Sequence, residues 1–284
     1  LFNYKKINLK MNYIFTTVYP GSEKFFKQFI NSINSQTTKN FTLFIICNGI
    51  NLSKKYMDLI KVNFLIFKIN ETWQNARLKG LNFLLKKKAN FIIFADSDDV
   101  LINNRIEVIL KKIKKNDFIV NNMYLFKKNI NQRKIWLTKK SKKIKFREIN
   151  YKNYIGCGNT AVRANALKKI HNLIDNRLIA FDWCMAKLLL INGFQGIYIN
   201  KPLTLYRQYQ NNTSSLTSVT KSKVNKDIKC KLEHFKFFSK FGIDYKKKIE
   251  ELKLIKKKMK NKSFFIRNQK KFKKKNQNYW WAIV

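Results

Sequence analysis

Short apolar runs alternate with amphipathic stretches along the first hundred residues. NYIFTTVY (12–19) is β-branched and aromatic and predicts a strand. Pro20-Gly21 breaks it, and Ser22 is placed to cap a helix with Phe25, Phe26, Phe29, Ile30 and Ile33 at helical spacing. FTLFIICNG (41–49) predicts a second, buried strand, residues 53–61 a short helix, and NFLIFKIN (63–70) a third strand. Residues 72–88 follow as a helix with Ala76, Leu81, Leu84 and Leu85 inward. NFIIFADSDD (90–99) is the fourth strand and its exit. This alternation predicts an α/β architecture: a mixed, mostly parallel sheet flanked by helices on both faces. Ligands of such sheets sit beyond the carboxyl ends of the strands, here Thr16–Tyr19, Cys47–Gly49 and Asp96–Asp99.

Beyond residue 115 the pattern loosens. Residues 117–126 are strand-like, and 127–145 form a basic loop or hairpin. Residues 154–170 read as a glycine-containing loop and a helix, 181–193 as a helix ended by Gly193, and 197–209 as a strand. From 216 onward, Val224, Ile228, Leu232, Phe235 and Phe238 mark a Lys-rich helical tail, which finishes in the aromatic NYWWAIV.

Composition changes the picture in one respect. The chain carries 60 basic and 16 acidic residues, a net charge of +44. Lys, Asn, Ile and Phe are abundant together, as AT-rich codons alone would produce, so selection for an anionic surface and base bias both remain open as causes. At 45% hydrophobic the chain has material for a real core. No window approaches the ~18 apolar residues of a membrane span. LFNYKKINLK lacks a signal-peptide core, which sets a cytoplasmic expectation. Residues 1–10 read as an extension before Met11. Cys47, Cys157, Cys184 and Cys230 are far apart and read as packed free thiols.

Against this basic background, Asp96, Asp98 and Asp99 fall within four positions. Carboxylates about 5 Å apart repel by roughly 3 kcal/mol per pair at an effective dielectric near 20. Water, a helix N-terminus or a hard divalent cation such as Mg²⁺ or Mn²⁺ would offset that. The plainer reading is a turn that caps the helix near 103–112. Between residues 149 and 226 the only acids are Asp175 and Asp182, and Asp182 opens an amphipathic helix, as a cap or as a carboxylate facing a pocket.

Several stretches, in order over residues 12–215, are together similar to the family 2 glycosyltransferases of the nucleotide-sugar-dependent A-type fold. They are TTVYPGSEKFFKQFINSINSQT with Ser32 and Gln36, FTLFIICNGI, NARLKGLNFLLKKKANFIIFADSDDVL, IGCGNTAVRANAL, FDWCMAKLLLINGF and YRQYQNNTS. The resemblance implies a Rossmann-like transferase domain over 11–215, with a nucleotide-sugar half (11–115) and an acceptor half (116–215), followed by a basic tail (216–284). It implies an inverting transfer from a nucleotide-diphosphate sugar to a hydroxyl of a glycan or lipid-linked acceptor, in surface polysaccharide synthesis. Asp98 would hold Mg²⁺ or Mn²⁺, Asp96 would contact the ribose or the metal's water, and Asp99 would cap a helix or support its neighbours. Thr16, Tyr19 and Asn48 would flank the base, Arg77 the ribose and diphosphate, and Arg207 the diphosphate, while Asp182 would be the general base.

The chain departs from the family pattern at three places. The second strand ends in Cys47-Asn48 rather than acids, Phe181 replaces an acid before Asp182, and Tyr209 replaces a histidine. The phenol of Tyr209 is a poorer metal ligand, so either the metal is held more weakly or Arg207, Gln208 or Asn211 supplies the remaining contact. His171 and His234 fit no motif and read as surface or packing residues. The tail has two readings, a packed helical extension or an anionic-membrane contact at the inner face. A different class, a basic nucleic-acid-binding or scaffold protein on a degenerate transferase-like fold, rests on charge alone, and no specific nucleic acid is expected.

Overall fold

The computed structural model describes residues 11–209, 212, 219–275 and 279–284. The 1–10 extension, Asn211 and the Thr213-Ser214 end of the last motif lie outside them. The chain runs β1 (Asn12–Val18), α1 (Glu23–Asn34), β2 (Thr42–Asn48), α2 (Lys54–Asp58), β3 (Phe64–Ile69), α3 (Trp73–Lys86) and β4 (Phe91–Phe94). Then come β5 (Val100–Leu101), α4 (Arg105–Ile113), β6 (Phe118–Phe126), β7 (Lys134–Ile135), β8 (Lys142–Lys143) and α5 (Phe146–Ile149). The remainder is β9 (Thr160–Arg163), α6 (Ala164–Ile170), α7 (Phe181–Ile191), β10 (Gly196–Arg207), α8 (Lys221–Ser239), α9 (Lys246–Lys258) and α10 (Lys262–Lys275).

One mixed sheet has the order β3-β2-β1-β4-β9-β6-β10-β5, with β7 on β6 and β8 on β10. The pairs β1–β2, β2–β3, β1–β4 and β6–β10 are parallel. β9 is inserted antiparallel between β4 and β6. The sequence pattern had placed a loop and helix there; a four-residue strand paired on both sides needs no long apolar run to announce it.

Period-two alternation sends Tyr13, Phe15, Phe44, Ile46, Ile92 and Phe94 to one face, against α3 and into a core that continues through α7 and α8. Ile14, Val18, Leu43, Ile45 and Ile93 go to the other, against α1 and α4. Both faces are therefore dry, and the carboxyl ends of β1, β2 and β4 are left open along one rim. Val224, Ile228, Phe235 and Phe238 of α8 belong to the first core. Among the described residues no helix is long and apolar enough to cross a membrane. The four cysteines are buried and unpaired.

Two residues of the SINSQT stretch turn out to be clamps. Ser32 Oγ accepts the Leu101 N–H (3.1 Å). Gln36 donates to the Ile102 carbonyl (2.9 Å) and accepts from the Ile106 N–H (3.1 Å). Together they fasten α1 to the segment that leaves the carboxylate cluster and starts α4. Ser22 stands at the N-cap of α1, but its side chain does not cap the helix: its hydroxyl closes a turn on Tyr19, donating to the carbonyl (2.8 Å) and accepting the N–H (2.9 Å).

Gln36→Ala strands the buried Ile106 N–H, while the Ile102 carbonyl keeps only the Arg105 N–H. It is expected to lower stability by about 1–3 kcal/mol, read from the urea midpoint.

Candidate active site

The open rim holds a cavity of about 680 Å³, lined by strand ends and by the loops before α3 and α7. Asp96, Asp98, Asp182, Arg77, Tyr19 and Asn48, six of the residues singled out in the sequence, line it together. Asp98 and Asp182 are far apart in the chain, and their convergence is a product of the fold alone.

The carboxylate turn is tightly built. Asp99 N–H donates to the Asp96 carbonyl (3.1 Å), and Ser97 Oγ ties the turn to the Thr17 carbonyl (2.8 Å). Asp96 Oδ1 meets Arg77 Nη2 at 3.3 Å. Asp98 Oδ2 accepts the Tyr209 hydroxyl at 2.6 Å and the Tyr19 hydroxyl at 3.4 Å. Tyr209 is thus part of the site after all, as a donor to Asp98, in the place where the family has histidine. Gly158 packs against the cluster so closely that a Cβ there would lie 2.8 Å from Asp99 Oδ2 and 3.0 Å from Asp96 Oδ2.

Burial pushes the Asp96 carboxyl up to about 6, with Arg77 pulling it down and Asp98 pushing it further up. The 32% of its side chain that stays accessible opens into the cavity, where water screens part of this effect. Asp99 is buried, and its carboxyl is raised by burial and then by Asp98 and Asp96. It caps no helix: α4 starts at Arg105, and Asp99 Oδ1 accepts the Arg207 N–H (2.9 Å) while Oδ2 has no hydrogen-bond partner among the described residues.

Asp182 begins α7. Its Oδ1 accepts the Trp183 N–H (2.7 Å) and the Asn153 side-chain N–H (3.4 Å). Burial lifts it to about 6, against the pull of Arg77. Phe181, where the family has an acid, lies beside the Arg77 guanidinium, 5.9 Å from its ring centroid.

Two predicted donor contacts are placed elsewhere. Thr16 is buried, and its hydroxyl has no hydrogen-bond partner among the described residues; strand parity turns it toward α1, and Thr17, on the face of Phe15, reaches the cavity instead. Arg207 lies beneath the turn. Its Nε donates to the Asp98 carbonyl (2.8 Å), Nη2 to Gln28, and Phe25 and Phe126 sandwich it at 4.4 and 4.5 Å. It braces the carboxylate turn and is absent from the cavity lining. The Asn48 side chain exchanges two hydrogen bonds with the Glu71 backbone, so it orders the rim as well as lining it.

Sequence reasoning missed Arg105, which is fully buried. It donates to the Phe94 carbonyl (2.8 Å) and Asn121 (3.2 Å) directly behind the cluster. Burial brings its pKa down to about 10 while Asp99 and Asp96 hold it up. Trp73, Trp280 and Trp281 in the lining were missed too. In the sequence the tryptophan pair reads as part of an aromatic, apolar terminus suited to packing or to an anionic bilayer, with no sign that it lines the cavity.

Comparison with solved structures finds the same architecture in S. aureus TarS. Residues 1–349 of that protein in complex with UDP-GlcNAc align with a TM-score of 0.57 at 15% identity, covering 78% of this chain and 65% of that one. S. aureus TarS itself gives 0.54 at 17%, covering 85% and 46%. The 1–349 complex with UDP gives 0.55 at 15%, covering 92% and 74%. This chain therefore spans less than two thirds of the first two, and at these identities the likeness is one of fold. Comparison with curated proteins yields no significant match. The profile of glycosyl transferase family 2 matches residues 13–171, more than half of the chain, along the same strands that build the carboxylate rim. By that match the chain belongs to glycosyl transferase family 2.

Proposed function

We propose that this protein is a metal-dependent, inverting glycosyltransferase that moves a sugar from a nucleoside-diphosphate donor to a hydroxyl of a glycan or lipid-linked acceptor. The observation that carries the reading is the opening of Asp96, Asp98 and Asp182 into one cavity, with Arg77 charged toward Asp96 and Asp182. Support for a uridine nucleotide comes from the S. aureus TarS complexes with UDP-GlcNAc and UDP.

The donor set suits a hard divalent cation. Asp96 and Asp98 present oxygen donors at the cavity wall, and the raised Asp96 carboxyl is the electrostatic load that a cation relieves. Among the described residues no three Asp, Glu, His or Cys side chains form a complete metal cage. Two carboxylates are the usual protein share where diphosphate oxygens and water supply the rest. When bound, Mg²⁺ or Mn²⁺ on Asp98 and Asp96 would offset the charge that develops on the diphosphate.

The chain's own groups do the remainder. Arg77 faces the same charge as a guanidinium suited to phosphate oxygens. The Trp183 N–H fixes the orientation of Asp182, which receives the acceptor hydroxyl's proton. The acceptor oxygen forms its bond to the anomeric carbon as the bond from that carbon to the diphosphate oxygen breaks. The electron pair leaves on the diphosphate, and the configuration inverts. The basic surface, with its many lysines, supports a contact with anionic lipid when the acceptor is lipid-linked.

Three outcomes test this reading. UDP with Mn²⁺ is expected to raise the melting temperature, and Asp98→Ala to abolish the shift. A protein that ignores UDP, GDP, CDP, ADP and TDP alike, or binds nucleic acid with a steep salt dependence that survives Asp98→Ala, contradicts it.

Asp182→Asn should remove transfer by at least about a hundredfold while leaving donor binding intact. Transfer that persists in this variant removes Asp182 as the base.

The pH dependence follows from the raised carboxyl. Asp182 must be ionised to accept a proton, so kcat/KM should fall about tenfold per unit below roughly pH 6. Stability has the opposite trend. A carboxyl whose folded pKa lies above its ordinary value favours the folded state when protonated, so this contribution is present at low pH and lost as pH rises through about 6. Asp182→Asn should therefore be more stable than wild type at pH 7.5, on the order of 1–2 kcal/mol after screening by cavity water, with the difference shrinking at pH 5.

A further inference from the structure

Each of the two carboxylates at the cavity wall has one oxygen engaged by the protein itself. Asp96 Oδ1 meets Arg77 Nη2 at 3.3 Å. Asp98 Oδ2 accepts the Tyr209 hydroxyl at 2.6 Å and the Tyr19 hydroxyl at 3.4 Å, and the two phenol oxygens lie 3.2 Å apart. Asp98 Oδ1 accepts no hydrogen bond from the described residues. We propose that Tyr209, aided by Tyr19, is a specificity-determining residue: it limits Asp98 to one oxygen for a cation, and so selects Mg²⁺ or Mn²⁺ over Ca²⁺. This rests on the metal-dependent reading above and adds which ion the site accepts.

The phenol pair is held in place by its own backbone. Tyr209 follows directly on β10, next to the Arg207 that braces the carboxylate turn. Its N–H donates to Asn212 Oδ1 (2.5 Å), and the Asn212 side chain donates back to the Arg207 carbonyl (2.9 Å). The Tyr209 ring packs 5.2 Å from Phe25 of α1. Tyr19 comes from the far end of the chain, in the turn that Ser22 closes. Asp98, Tyr19 and Tyr209 all line the cavity. Asp98 is only 7% exposed and Tyr19 is 39% exposed, so the carboxylate is the recessed member of the group.

The chemistry of the two kinds of ion separates them here. A hydroxyl donating to a carboxylate oxygen at this length makes a strong, charge-assisted hydrogen bond. The proton held against Oδ2 repels a cation that approaches the same oxygen, which leaves Oδ1. Asp96 is limited in a similar way: Arg77 engages Oδ1, and Oδ2 packs so near Gly158 that a Cβ there would lie 3.0 Å from it. Ca²⁺ gathers about six to eight oxygens and often takes both from one carboxylate. Mg²⁺ takes one oxygen from each of one or two carboxylates and fills its octahedron with water and phosphate oxygens. A wall that offers single oxygens is sufficient for the smaller ion and poor for the larger. The phenols also orient the oxygen that remains, and loss of such an outer partner lowers ion affinity roughly 10–100-fold.

The test compares two ions on the full chain with UDP present. Mn²⁺ binding is read from the EPR signal of the free ion and Ca²⁺ binding from calorimetry, in wild type, Tyr209→Phe and Tyr19→Phe. Tyr209→Phe keeps the ring on Phe25 and removes only the hydroxyl. It is expected to weaken Mn²⁺ about tenfold and to leave Ca²⁺ unchanged or tighter, so the preference for Mn²⁺ falls about tenfold or more. Tyr19→Phe loses the longer contact and should lower the preference by less, about threefold. An unliganded melt checks that each variant is folded, and the exposed Tyr19 carries the comparison if Tyr209→Phe is not. A purely structural role would weaken both ions alike. Equal weakening of both, an unchanged preference in the folded variants, or a wild type that holds Ca²⁺ as tightly as Mn²⁺ overturns the proposal and leaves the glycosyltransferase reading standing. A wild type that binds UDP but neither ion overturns it together with the metal dependence. A wild type that binds no nucleoside diphosphate overturns the glycosyltransferase reading itself.

Discussion

Three carboxylates packed behind one short strand set the terms for everything around them. Asp96, Asp98 and Asp99 repel one another in a largely desolvated turn, and the fold answers with three arginines from three different elements. Arg77 comes from α3, Arg105 from the start of α4 and Arg207 from the end of β10. Arg105 and Arg207 are buried, so each needs the aspartates as much as they need it. The cluster is thus a mutual neutralisation that docks a helix on one face, a helix on the other and the last strand to the same point.

That balance has an electrostatic meaning for a chain of net charge +44. Around the carboxylate turn acid and base nearly cancel, while the rest of the surface is strongly cationic. The long-range field draws anions toward the protein, and the carboxylates then act only at short range, where a cation or a proton is in play. Attraction and orientation are separated in space, the first spread over many lysines and the second confined to a few atoms.

The sequence disclosed what local periodicity encodes. β1 to β4 and their covering helices follow from alternation and helical spacing, and the opening of Asp96 and Asp98 at a strand end follows from where ligands sit in such sheets. β9 was hidden, because Thr160–Arg163 is a strand only by virtue of β4 and β6 on either side. Thr16 was read one residue out of phase, although Tyr13, Phe15 and Thr17 share a face. Arg207 looked like a phosphate contact because an arginine in a polar motif carries no local mark of being sandwiched between Phe25 and Phe126. Tyr209 looked like a loss. Only its position beside Tyr19 and Asp98 shows a phenol pair steadying that carboxylate.

The pairing of Asn153 with Trp280 closes a very long loop of chain. Contacts of such separation form after the local ones, since the loop's entropy is lost before the contact repays it. Arg207 on Gln28 and Tyr209 on Tyr19 close longer loops still, so the carboxylate turn and the far side of the cavity both wait on distant parts of the chain. In topological terms the pocket is a product of contacts between the two ends of the chain, and no contiguous fragment of the sequence carries all of its walls.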